Sequence, residues 1–356
     1  METLLRLPRD RRVSFPLPDG AFPTVKVTPD QVRAHRSTAA SIIEMTVAME
    51  REHRSQELRS IDRDEWKLIQ EKNRLRVYKR TRREQAQPMV LCIGMMNGSV
   101  SDALFGLHHE TDAEMAAVNR ITNKHYLDSA WRMTATPGVG LIIKNRDLVT
   151  LECLGMAVDS HGDEYGYLLL KSVDLPELPP FSTSIAVRAQ TVYCCIFRQV
   201  APGTVGIYAK GIVDVGGSLT ELIGLGTACD LMFGILKSSK VARAKRLTAL
   251  AIKSERGFPI LEAPSKRSTE AYRATERSQC DPTELSTSRS RDDSCPRSQF
   301  ASRNSRRCAN VCSKCLDKQK LLATSANFSV YCCKGCVLDA NELPIDPLQL
   351  TPLLWY

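Results

Sequence analysis

The 356-residue chain is 43% hydrophobic and 25% charged, which supplies apolar material for a sizeable core at an ordinary charge load. No apolar run nears the roughly 20 residues that span a bilayer, and the N-terminus lacks the apolar stretch of a secretory signal, so a cytoplasmic location is expected. The net charge of +9 is localised: Leu236–Cys308 holds 17 Lys and Arg against 8 Asp and Glu, an excess equal to that of the whole chain. Such a segment points to an anionic partner, lipid headgroups or nucleic acid, or to a solvated helix end with a linker.

Residues 1–28 are Pro-rich and basic and read as an arm. Thr28 and Pro29 have the chemistry of an N-cap and first helical residue, and apolar Val32, Ile42, Ile43, Val47 and Met49 predict a helix within 29–62. From Arg63 the pattern turns to strand. Trp66–Ile69 precedes the alternating Leu75–Tyr78, and Pro88–Met96 is a second apolar strand ending on the turn residues Asn97-Gly98. Ser101 is placed to cap a helix carrying Leu104, Phe105 and Leu107, and Asp112 opens another with Met115, Val118 and Ile121. Strands then follow around Tyr126–Thr134, Gly140–Ile143, Leu148–Leu154, Tyr165–Ser172, Ile185–Phe197 and Val205–Val215, separated by Pro and Gly clusters.

Two of those strands are joined through Lys144-Asn145-Arg146-Asp147. A charged pair within an apolar run is either a register-fixing ion pair or a polar group set in a hydrophobic chamber. Ser218 and Glu221 make a capping box for the longest helix signal, to about Lys253. Leu222, Ile223, Met232 and Phe233 lie on its apolar face, and its last turns are basic. Gly224, Gly226 and Gly234 weaken that helix by about 1 kcal/mol each. His108, His109 and His125 have no partner at metal spacing and read as surface residues; Glu152 reads as a solvated acid near a strand. No nucleophile, metalloprotease or phosphate-loop motif is present, so an enzyme is not expected.

Beyond Gly257 the composition turns to Ser, Thr, Arg and Asp, predicting a linker over 254–291. Eight of the 13 cysteines follow residue 279, and in a reducing compartment such clustering points to metal. Cys312-x2-Cys315 and Cys333-x2-Cys336 are separated by 17 residues, the spacing of a tetrahedral zinc site. The competing reading is free thiols in an unstructured tail.

The order helix, strands, two short helices, strands and closing helix resembles the START (StAR-related lipid-transfer) domain over roughly Arg63–Lys253. Trp66-Lys67 with Leu75-Arg76-Val77-Tyr78, Asn145-Arg146-Asp147-Leu148-Val149, Arg188, Ile196-Phe197-Arg198 and Asp214-Val215-Gly216-Gly217 carry the resemblance. It implies an α+β helix-grip fold over 63–253, in which a curved antiparallel sheet grips the C-terminal helix around an apolar tunnel for one lipid. Arg146 would pair with Asp128 at the tunnel wall, and Leu222, Ile223, Met232 and Phe233 would line it.

Residues 292–340 resemble a degenerate FYVE finger. Cys312-Ser313-Lys314-Cys315 is similar to its third cysteine pair and Cys333-Lys334-Gly335-Cys336 to its closing pair, although no histidines follow Arg306-Arg307. Interleaved zinc sites would draw on Asp292, Cys295, Cys312 and Cys315, and on Cys308, Cys333 and Cys336 with Cys332; one single-zinc site is the alternative. Residues 341–356 form a tail.

The implied function is a non-enzymatic lipid-binding or lipid-transfer module, with zinc finger and basic linker docking it peripherally on anionic endomembranes. The alternative is a regulatory protein on the same scaffold that binds protein or, less favoured, nucleic acid. A pocket plugged by Met95, Met96, Met232 and Phe233 would mark that alternative.

Overall fold

The computed structural model describes residues 25–55, 61–81, 89–122, 132–133, 145–183, 186–216, 221–253, 316–322 and 328–342. The chain divides into two units, Met1–Ala242 and Arg243–Tyr356, each with a core of its own.

The first unit opens with helix α1 (Pro29–Ser55). The Thr28 hydroxyl accepts the Gln31 N–H at 3.2 Å while the Gln31 side chain accepts the Thr28 N–H at 2.8 Å, a reciprocal cap. Strands β1 (Trp66–Lys72) and β2 (Leu75–Arg80) are joined by Asn73-Arg74, both at positive φ, as a tight hairpin turn requires. Strand β3 (Met89–Asn97) follows, then helices α2 (Val100–Leu107) and α3 (Asp112–Thr122). The cap of α2 is Ser99 rather than Ser101: Ser99 is the last extended residue, and its side chain accepts from the Asp102 N–H at 3.0 Å.

Next come the short strands β4 (Arg132–Met133) and β5 (Asn145–Asp147), the long β6 (Thr150–Val158) and β7 (Glu164–Ser172), then β8 (Ala186–Arg188), β9 (Gln190–Ala201) and β10 (Thr204–Asp214). The charged residues expected to connect two strands are thus themselves a strand, and the single strand expected over 185–197 is two. The stretch Gly140–Ile143 lies outside the described residues.

Seven strands form one antiparallel sheet in the order β1-β2-β3-β10-β9-β7-β6, and β4-β5-β8 form a second. Because side chains alternate across a strand, each main-sheet strand serves two layers. On one side Tyr165, Leu169, Cys194 and Ile196 meet Ala39, Ile43 and Val47 of α1. On the other, Val77, Cys92, Phe197 and Ile207 meet Val100 and Leu104 of α2 and residues of helix α4 (Glu221–Gly234). Helix α2 lies close on β7: a Cβ at Gly166 would fall 2.7 Å from Val100 Cγ1 and 3.1 Å from Leu104 Cδ1.

The closing helix is not continuous. Helix α4 gives way at Gly234 to a 3₁₀ turn, Ile235–Lys237, before helix α5 (Ser238–Lys253). Of the three glycines that weaken the pattern, Gly234 adjoins the 3₁₀ turn, whereas Gly224 and Gly226 lie within unbroken α4. Ser218 lies outside the described residues.

In the second unit strands β11 (Leu316–Leu321) and β12 (Phe328–Cys333) form a hairpin in which Leu316 pairs with Cys333, and helix α6 (Lys334–Glu342) follows directly. Leu247, Leu321, Cys332, Val337 and Ala340 are its buried apolar residues, and the Thr248 hydroxyl accepts the Leu322 N–H at 3.0 Å. Among the described residues, no helix is long and apolar enough to cross a membrane.

Candidate ligand cavity

The side of the main sheet covered by α2 and α4 is filled at one end and hollow at the other. Over β2, β3 and β10 it is packed: Met232 and Phe233 of α4 and Met96 of β3 are 0%, 4% and 4% exposed within the main core. Over β6, β7 and β9 a cavity of about 110 Å³ remains. Its walls are mostly apolar: Leu107 after α2, Met115 and Val118 of α3, Leu168 and Leu170 of β7, Leu231 and Ile235 at the end of α4. Leu231 and Ile235, four residues apart, share one face of the helix, and Gly234 beside them is itself a lining residue.

Asn119, Thr122 and Thr150 also line it, and three further polar features interrupt the apolar walls. Tyr193 of β9 lies on the cavity floor and is 1% exposed, yet its hydroxyl has no hydrogen-bond partner of ordinary geometry. The group beside it is the weakly polar Cys195 thiol, and burial pushes the phenol well above its usual range. Buried tyrosine hydroxyls are ordinarily satisfied. At the rim, Glu152 of the edge strand β6 sets one carboxylate oxygen 3.5 Å from His109 Nε2, with side chains 31% and 19% exposed. Partial burial raises the Glu152 pKa, against the opposing pull of His109. Asp230 of α4 is the third, an exposed side chain at the mouth.

Neither rim residue was legible as such. His109, read as a surface histidine, and Glu152, read as a solvated acid, meet because the end of α2 overhangs the sheet edge. Strand alternation sends Glu152 to the same side as Tyr193. Of the residues expected to line a tunnel, Met232 and Phe233 pack into the filled end. The side chains of Leu222 and Ile223, and all of Asp128, lie outside the described residues.

Arg146 is 4% exposed. Its Nε donates to the Val215 carbonyl at 2.8 Å and its Nη2 to the Gly216 carbonyl at 3.1 Å; burial lowers its pKa. Asp147 accepts from Arg188 Nε at 2.8 Å across the parallel β5–β8 pair. Arg146 thus fastens the chain just after β10, where it turns at Gly216, φ +63°, toward α4, while Asp147 ties β5 to β8.

In the second unit Cys333 ends β12 and Cys336 stands in the first turn of α6. Cys295, Cys308, Cys312 and Cys315, with Asp292, lie outside the described residues. Among the described residues no group of three or more His, Cys, Asp or Glu is placed to hold a metal.

The class this geometry defines is an antiparallel sheet clasped by helices around a small, mainly apolar cavity. The chain is similar to human StAR-related lipid transfer protein 5, with 17% identity over 58% of this chain and 98% of that one, TM-score 0.40. It is also similar to the crystal structure of human STARD10 (16% identity, 60% of this chain and 80% of that one, TM-score 0.36). A third likeness is to the lipid transfer and protein localization domain of human StarD13 (12%, 49% and 88%, TM-score 0.38). No family model and no curated protein matches the chain. At these identities no residue role passes from one chain to the other, and the functional reading rests on the cavity.

Proposed function

We propose that the first unit is a non-enzymatic binding module that holds one lipid-like amphiphile with its apolar part in the cavity. The observation that carries this reading is a mainly apolar cavity whose lining is interrupted by a few polar side chains, the combination of apolar walls and few polar groups typical of ligand sites. At about 110 Å³ the cavity holds a short chain segment, whereas drug-sized ligands occupy roughly 300–1,000 Å³. A whole lipid therefore requires α3 and the end of α4 to move off the sheet, and the break at Gly234 is the place where that costs least. Native mass spectrometry with lipid extraction tests the reading. An intact bound amphiphile supports it. A ligand recovered chemically altered after incubation would argue for an enzyme. Empty protein that takes up no fluorescent sterol, phospholipid or fatty acid would overturn it.

A second reading concerns the tail. We propose that Cys312, Cys315, Cys333 and Cys336 bind zinc as thiolates. Support comes from the backbone order: the hairpin register pairs Leu316, which follows Cys315, with Cys333, and Cys336 lies one turn on. Two such C-x2-C pairs separated by 17 residues are the ligand set that a single tetrahedral site needs. So small a unit gains its stability from the metal. Elemental analysis of protein kept reduced should find about one zinc per chain, or two if Asp292, Cys295 and Cys308 also serve; none would refute it. Docking of the basic segment on anionic membranes belongs to the same proposal and is read by salt-sensitive cosedimentation with phosphatidylserine vesicles.

A further inference from the structure

Resting on the binding reading above, we infer that Lys237 latches the entrance of the cavity: its ammonium holds the C-terminal end of α3 against the 3₁₀ turn, and a ligand enters where the two part. The cavity has two helical walls. Helix α3 gives Val118, Asn119 and Thr122, and the end of α4 with the turn after it gives Leu231, Gly234 and Ile235. The walls meet at Thr122 and Gly234. A Cβ built on Gly234 would stand 3.5 Å from the Thr122 carbonyl oxygen and 3.9 Å from its Cβ, an ordinary van der Waals approach. Thr122 is the last residue of α3, and Lys237 Nζ donates to its carbonyl at 2.8 Å. A cation on the last carbonyl of a helix is favoured both by the charge-assisted hydrogen bond and by the helix dipole.

One side of this seam is anchored on both flanks. Before it, Met232 and Phe233 are buried in the filled end. After it, Ser238 is fully buried and packs so closely on α2 that a Cβ at Gly106 would collide with its carbonyl oxygen. The Ser239 hydroxyl donates to the Asn97 carbonyl of β3 at 2.9 Å. Lys237 therefore stands on a fixed base, and most of the opening falls to α3. Opening must break the hydrogen bond from Lys237 to Thr122, and water can take over both groups only once the seam has parted. Lys237 is not among the described lining residues. It thus adds to the barrier for entry and exit without touching the ligand.

The test is stopped-flow uptake of a fluorescent fatty acid, sterol and phospholipid by the full-length chain, stripped of lipid. Lys237→Met keeps an unbranched side chain and removes the donor. Uptake and release should each quicken by at least about fivefold, with the equilibrium affinity within about threefold of the parent. Thr122→Cys combined with Gly234→Cys staples the seam, because the Cβ separation of 3.9 Å lies within the roughly 3.5–4.5 Å of disulfides. The oxidised double variant should fill at least about tenfold more slowly than the reduced one, and the parent, oxidised and reduced alongside, gives the effect of its own cysteines. Thermal melts report whether each variant is folded. Unchanged rates in folded Lys237→Met, or an oxidised staple that fills as fast as the reduced form, overturn the inference while leaving the cavity a binding site. A staple that does not form under oxidation overturns it too, because the walls then do not meet at Thr122 and Gly234. No uptake of any of the three probes by the parent overturns the inference and the binding reading together.

Discussion

Strand β9 meets opposite conditions on its two sides. Toward α1 it presents Arg198, 5% exposed in its side chain, whose guanidinium donates to Glu50 at 2.9 Å and to Asp159 at 2.7 Å. Its remaining N–H reaches the carbonyls of Asp163 and Glu164 at 3.4 Å, and it lies over the Tyr165 ring. Arg51 and Arg54 of α1 add contacts to Asp159, Glu50 and Asp163. Toward α2 and α4 the same strand presents Tyr193, with a hydroxyl that has no such partner. The difference separates two uses of a buried polar group. One side matches each charge with a counter-charge and so holds a helix in place; the other leaves one neutral hydroxyl unmatched in the core beside a cavity.

Removing Arg198 breaks the matched side and should have the largest effect. Arg198→Ala leaves Glu50 and Asp159 without their shared partner, and losing one member of a buried ion pair costs about 3–5 kcal/mol. Urea unfolding should report that loss, and limited proteolysis should cut α1 first. Loss below 1 kcal/mol would mean that the network is solvated and the contrast between the faces is false.

Arg146→Ala serves as a control outside both faces. It removes two charge-assisted hydrogen bonds to the Val215 and Gly216 carbonyls, a loss of about 2–3 kcal/mol, and should leave uptake of a fluorescent fatty acid unchanged. Lost uptake by the folded variant would move Arg146 into the ligand site.

How much of this was legible in the sequence follows from what periodicity encodes. The antiparallel strands, α1 with its Thr28 cap, and α2 and α3 could be read from alternation and capping chemistry, because those signals are local. The register of Arg146 was also visible as a charged pair in an apolar run. Its partners were not: the carbonyls of Val215 and Gly216 are 69 and 70 residues away, and backbone oxygens carry no sequence signature. The cavity was hidden for the same reason. Glu152, His109 and Tyr193 come from three elements that only the sheet order β9-β7-β6 and the overhang of α2 bring together. Ordinary helical periodicity sends Met232 and Phe233 into the packed end and Leu231 and Ile235 toward the hollow.

The two faces should titrate with opposite sign. Burial pushes the Asp159 carboxyl up, but the His161 and Asp163 N–H groups and the Arg51 and Arg198 guanidinia more than offset it, holding it well below the ordinary range. Its stabilisation is therefore complete above the unfolded carboxylate pKa, about 3.9, and is lost as pH falls through the depressed folded value. Glu152 is raised, chiefly by burial. The folded state then holds the proton more tightly than the unfolded one, so stability falls as pH rises from about 4.3 through the raised value. Urea midpoints against pH for Asp159→Asn and Glu152→Gln should each flatten one slope, of opposite direction. Slopes of the same sign would contradict the assignment of Glu152 to a partly desolvated rim.

The smallest expected effect is at Tyr193, whose hydroxyl oxygen is buried beside the cavity and sealed from it. Tyr193→Phe removes one oxygen and keeps the ring that packs with Cys92, Cys195 and Phe197 in the core. If the hydroxyl served the fold, its loss would destabilise. It has no ordinary partner, and leaving a buried polar group unsatisfied costs about 1–3 kcal/mol, so the ligand-free variant should be as stable as the parent or more stable, by up to about 1 kcal/mol. The same substitution should leave uptake of a fluorescent fatty acid unchanged, since the oxygen it removes is sealed from the cavity. A lowered melting temperature would assign the hydroxyl to the packing of the sheet, and lost uptake by the folded variant would place that oxygen in contact with the ligand.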